Sequence, residues 1–138
     1  MDSTAATRLA GQLSTQGQPI CRHVASRLLR AYPEITRSLR LDEGYHAADR
    51  LSEVAVERLN ELVRAVLLFE VLSLADTELT WAGGVLPRRG VTRQHQAAMV
   101  RWFFEEVRRL PLSPAEGELS REVELYFLGA IGTAYEQN

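Results

Sequence analysis

The chain has 138 residues, a formal net charge of −2 and one cysteine. This suits one domain, 1–138, that buries its own core without disulfide or metal support. All 16 basic residues are arginine, so lysine Schiff-base chemistry, pyridoxal-phosphate attachment and the lysine-containing phosphate loop are excluded. The arginines are spread along the chain and leave no electrostatic footprint for nucleic acid.

Residues 2–17 are small and polar, with Leu9 and Leu13 one turn apart, and they predict a short, weakly docked helix that Gln16 to Pro19 ends. Ile20, Val24, Leu28 and Tyr32 mark a helix over Pro19 to Tyr32, with Pro19 suited to its first turn. Pro33 disfavours helical geometry at Tyr32. A short helical turn over Pro33 to Leu39 follows, and Asp42 caps the next element beside Gly44.

From Tyr45 to Ala82 there is neither glycine nor proline, and this stretch is predicted to organise the molecule. Leu51, Ala55, Leu59, Leu62, Val66 and Phe69 fall on one helical face. Arg50, Glu53, Glu57, Arg58, Glu61 and Arg64 fill the other side as a solvated surface. Ala65 to Ala75 is apolar nearly all round, which places the core there and Phe69 within it. That run is too short to span a bilayer and carries Glu70. No signal-peptide pattern precedes it, so a reducing cytoplasm is the expected location.

Ala82 to Gly90 is rich in breakers and predicts a connection. Thr92 is placed to cap a helix over Arg93 to Leu110, which Pro111 stops. Ser113, Pro114 and Glu116 have the form of a capping box, and a last helix covers about Leu119 to Tyr135. Gly129, Ala130, Gly132 and Thr133 leave little bulk on it, so another helix can approach closely there. With no strand signal, the fold class is all-α.

No side chains assemble a nucleophile with a base, and the expectation is a protein that is not an enzyme. His23, His46 and His95 each lack a second histidine or cysteine at metal-ligand spacing. Cys21 reads as a small buried apolar residue. Trp102 lies between the buried and exposed stripes of its helix, on one row with Glu106 and Arg109. It is either a core-edge residue or an interface anchor.

The stretch Gly90-Val91-Thr92-Arg93-Gln94-His95, followed by a long apolar helix and a final one, resembles the end of a globin. Tyr32-Pro33-Glu34 at a helix junction is similar to the family as well, and the resemblance covers about residues 19–136. A haem globin needs a proximal histidine upstream of that glycine-valine. Leu74 to Arg89 has none, and Trp81 stands nearest to its place. The chain therefore looks more like the non-haem branch of the globin-like superfamily. That branch includes the N-terminal sensor domains of bacterial stressosome proteins and, more distantly, the phycobiliproteins.

The resemblance implies a globin-like bundle of about six to eight helices. It implies a sensory or regulatory role through protein–protein interaction, with no cofactor. The implied partners are a signalling protein and an apolar small molecule or lipid. Val91, Gln96 and Met99 match residues that border the globin pocket, while Phe69, Trp81 and Phe103 are large enough to close it. A homodimer is expected through Trp102, Glu106 and Arg109, with Gly129 and Thr133 as the low-bulk surface. The alternative is a haem-binding sensor that uses His46 or His95 as its ligand.

Overall fold

The computed structural model describes the backbone of residues 1–35 and 45–137, and their side chains apart from 45–52, 89 and 137. The proposed cap at Asp42 and the joint at Gly44 lie outside the described residues, as does the greater part of the expected turn over Pro33 to Leu39. The side chains of His46, Arg50 and Leu51 lie outside them too. The described residues form five long α-helices, a helical segment at 33–35 and one 3₁₀ turn, without a strand.

Helix α1 spans Ser3–Ala31 in one piece, with Asp2 as its N-cap accepting from the Ala5 N–H at 3.0 Å. The expected break at Gln16 to Pro19 does not occur, and residues 1–17 are not weakly docked. Ala6, Leu9, Leu13, Ile20, Val24 and Leu28 are all buried on one stripe, and the period runs through Gly17 and Pro19 without a slip. An interior proline removes a backbone hydrogen bond and costs about 3 kcal/mol. Burying a leucine side chain returns about 1.5–3 kcal/mol, so the shared stripe outweighs the proline.

Helix α2 spans Tyr45–Phe69. The glycine-free stretch is not one helix: Glu70 takes a left-handed conformation, φ 55°. The Val71 N–H then donates back to the Val66 carbonyl at 3.2 Å, which closes α2 as a Schellman-type end without the usual glycine. Ser3 Oγ donates to Glu70 Oε1 at 2.7 Å and ties this corner to the start of α1.

The buried face of α2 is Val56, Leu59, Asn60, Val63, Val66 and Leu67. It is rotated by about one residue from the expected face, so Ala55 is exposed and Leu62 half-buried. Phe69 is 72% exposed. It is not a core residue, because the chain turns away from the bundle directly after it.

Helix α3 spans Leu74–Val85 and runs into a 3₁₀ turn, Leu86–Arg89, that Gly90 closes at φ 83°. The expected connection is thus largely helical. Helix α4 spans Arg93–Val107, capped by Thr92 in a reciprocal capping box with His95. Helix α5 spans Pro114–Gln137 and starts at the Ser113 cap, whose Oγ accepts from the Glu116 N–H at 3.2 Å.

Helix α1 is the spine: it lies along α2 and also meets α4 and α5, while α3 packs on α5. One continuous core runs through α1, α2, α4 and α5. Phe103, Phe104 and Phe127 are fully buried at its centre, in edge-to-face contacts at 5.2 and 6.3 Å. Among the described residues, no helix is long and apolar enough to cross a membrane.

Candidate functional site

Because α2 gives its best apolar face to α1, it meets α3 and α4 only sparsely. A cleft of about 260 Å³ remains between these three helices, with Ile131 of α5 reaching into it. Leu59 and Leu62 line it from α2, Leu79, Trp81 and Ala82 from α3, and Met99 and Val100 from α4, while Leu86 belongs to the 3₁₀ turn. Its polar members are Arg58, Glu78 and Gln96. At the mouth, Arg58 Nη2 and Glu78 Oε1 pair at 3.0 Å across the gap from α2 to α3.

A second depression, of about 560 Å³, lies between α3 and α5 and is lined by Asp76, Thr80, Leu125, Tyr126, Gly129, Ala130 and Thr133. It is bounded by two helices rather than three, and its polar groups already serve each other. Tyr126 Oη donates to Asp76 Oδ1 at 2.7 Å, and that hydrogen bond, with some desolvation, raises the phenol's pKa. The smaller cleft is the better ligand site, because its walls are apolar on three sides and its few polar groups are localised.

The predicted pocket residues divide. Trp81, Gln96 and Met99 line the cleft. Trp81 does not close it, since it stands at the rim and is 55% exposed. Phe69 is away from the cleft, at the end of α2. Phe103 is in the central core. Val91 is half-buried outside the cleft, its carbonyl accepting from Tyr135 Oη at 3.2 Å. Burial also raises the Tyr135 pKa. Leu79, Ala82, Leu86 and Ile131 were not among the expected pocket residues. For Leu79, Ala82 and Leu86 the signal was present as apolar positions at helical spacing in 74–86, but it was hidden by reading that segment as the tail of α2 and a loop; Ile131 belongs to α5.

The interface candidates do not form one surface. Trp102 is half-buried against α1: its ring stacks on Tyr32 at 5.9 Å, and the Arg27 guanidinium lies 4.3 Å from its centroid. Glu106 already pairs with His23 at 3.2 Å and with Arg109 at 3.0 Å in its own chain. Gly129 and Thr133 sit in the α3–α5 depression instead. Close helix approach does occur nearby, within the chain: a Cβ on Gly83 would lie 2.9 Å from Ala134 Cβ.

His95 does not line the cleft. Its Nδ1 accepts from the Thr92 N–H at 3.0 Å, and its Nε2 faces Glu34 Oε1 at 3.0 Å. Both ring nitrogens are therefore engaged, with Tyr32 edge-on at 4.6 Å. Cys21 is buried. Burial, with smaller contributions from Glu57, Glu61 and Glu53, pushes its thiol up to about 12, so it stays protonated and is no nucleophile near neutrality. Among the described residues, no group of three or more histidine, cysteine, aspartate or glutamate side chains is placed to hold a metal ion.

No family model matches the chain, and no curated protein or solved structure matches it.

Proposed function

We propose that the chain is a non-enzymatic, globin-like sensory or regulatory domain. A small apolar molecule enters the cleft between α2, α3 and α4, and a signalling partner contacts the apolar edge beside it. The observation that carries this reading is the cleft itself: about 260 Å³ walled by leucines, Met99 and Ile131, with a half-exposed tryptophan on its rim. Apolar space of this kind gains free energy when an apolar body displaces its water.

The partner half of the reading is supported by the adjoining corner. Leu68, Phe69, Val71 and Leu74 are exposed together where α2 turns into α3, and contiguous exposed apolar surface marks interaction sites. Self-association belongs to this corner rather than to Trp102, whose ring is already covered by Tyr32 and Arg27.

The ligand half is tested by titrating the Trp102→Phe variant with tetralin and following Trp81 emission. A saturable change is expected. An emission that stays flat to the solubility limit contradicts it. For the partner half, sedimentation of wild type, Phe69→Glu and Trp102→Glu should show association lost in Phe69→Glu alone. A wild-type monomer at high micromolar concentration removes self-association.

A further inference from the structure

The amide of Gln96 is the polar group of the cleft that nothing in the fold accounts for. The residue is 4% exposed and lines the cleft. Its backbone N–H donates to the Thr92 carbonyl at 3.1 Å, but its side chain has no hydrogen-bond partner among the described residues. A primary amide offers two donors and one acceptor, and buried amides are nearly always paired. Leu59, Met99, Val100 and Ile131 around the same void cannot pair it.

The contrast with α2 is informative. Asn60 Oδ1 and Arg64 Nε are sealed from solvent and unpartnered. Asn60 is wedged against Gly17, where a Cβ would meet its Nδ2 at 2.5 Å, so no incoming molecule can reach it. The Gln96 amide is not sealed in this way and opens onto the cleft.

We infer that the cleft selects an uncharged small molecule with one hydrogen-bonding oxygen on an otherwise apolar frame, and that the Gln96 amide reads this oxygen. The inference rests on the proposed ligand-binding reading and deepens it. Charge is selected against at the mouth. Arg58 is neutralised by Glu78 and Glu61 by Arg64, while Glu57 stands on the same side of α2, so a carboxylate or phosphate would find no unpaired cation and would meet a net negative charge. The one carboxylate of the lining, Glu78, is taken up by Arg58, so no free counter-ion is left for a cation. Size follows from volume: a cavity of about 150 Å³ holds benzene, so about 260 Å³ accommodates a frame of roughly ten heavy atoms.

The test compares two probes of that size, tetralin and its ketone α-tetralone, on wild type and Gln96→Met. A purely apolar cleft prefers the hydrocarbon, because the ketone loses its hydrogen bonds to water on entry. The expected result is that wild type binds the ketone at least as tightly as the hydrocarbon. In Gln96→Met, the ketone-to-hydrocarbon preference falls about tenfold, which is about 1.4 kcal/mol. In wild-type spectra, the ketone should move the Gln96 side-chain NH₂ resonances downfield of their position with tetralin, whose ring-current effect is common to both probes, a readout that stands even if the variant fails to fold. If both probes bind but the preference is unchanged in the variant, or the NH₂ resonances do not differ between the two probes, the role of Gln96 is overturned while the cleft remains a binding site. If neither probe binds, the ligand-binding reading falls, and this inference with it.

Discussion

The seam where α1, α4 and α5 meet and the corner where α2 turns into α3 are built on opposite terms. In the seam, Leu9, Leu13, Phe103, Phe104 and Phe127 are fully buried, and the polar groups around them are matched. Arg27 pairs with Glu105 at 3.2 Å, Gln12 reaches the buried Glu116 at 3.0 Å, and Arg108 pairs with Glu124. At the corner, Leu68, Phe69, Val71 and Leu74 face solvent; in the cleft further along the same helices Trp81 stands half out and the Gln96 amide has no partner among the described residues. Apolar side chains are abundant in both regions, so hydrophobicity does not distinguish them. The difference is whether a second helix arrives to cover them. Buried packing is concentrated in the seam, and the exposed apolar surface is concentrated at the corner.

Truncating one aromatic on each side breaks the comparison most directly. Phe104→Ala should cost about 3–5 kcal/mol in chemical denaturation, as expected for a fully buried ring. Phe69→Ala should change stability by no more than about 0.5 kcal/mol, because the ring is 72% exposed. Equal losses at the two positions would show that the corner is packed in solution.

A smaller contrast lies in two glycines. Gly83→Ala drives a methyl into Ala134, whose Cβ lies 2.9 Å and backbone carbonyl carbon 3.1 Å from the new atom. It should cost about 1–3 kcal/mol. Gly129 has open space around its Cβ position, so Gly129→Ala should be neutral or stabilise by up to about 1 kcal/mol through helix propensity. Thermal denaturation of the two variants checks the pair.

The pH dependence is expected to be gentler. The Cys21 thiol is raised from 9.0 to about 12 in the fold, so above pH 9 the unfolded chain releases this proton first. The stability it contributes is fully present below pH 9 and is lost as pH rises through the folded value. Denaturation followed from pH 8 to 11 should show falling stability with a shallower slope in Cys21→Ala. Tyr126 and Tyr135, also raised, act in the same direction and remain in the variant. An unchanged slope would place the thiol in contact with water.

The all-α class was legible because helical spacing and cap residues agree over most of the chain. Thr92 and Ser113 cap where their patterns require, and Val100, Phe104, Val107, Val123, Phe127 and Ile131 are buried as their spacing implies. Two boundaries were not legible, for the same reason. A breaker residue is a local preference, whereas helix continuity is settled by burial. Pro19 sits inside α1 because the stripe on both sides of it is shared with α2, and the glycine-free stretch stops at Glu70 because folding α3 back onto α5 buries Ala75, Leu79 and Ala82. Of the site, Trp81, Gln96 and Met99 were anticipated. Glu78, Leu79, Ala82 and Leu86 depended on that unseen turn, which brings 74–86 back past α2.

The central claim, that the α2–α3–α4 cleft is a site built to be filled by a small apolar molecule, is tested most directly by locating a bound probe. With tetralin in slow or intermediate exchange, intermolecular nuclear Overhauser effects should connect its protons to the methyl groups of Leu62, Leu79, Met99 and Ile131, which meet only at that cleft. Contacts to Leu125 and Thr133 instead would place the ligand in the α3–α5 depression. That result, or no contacts at all, would contradict the account.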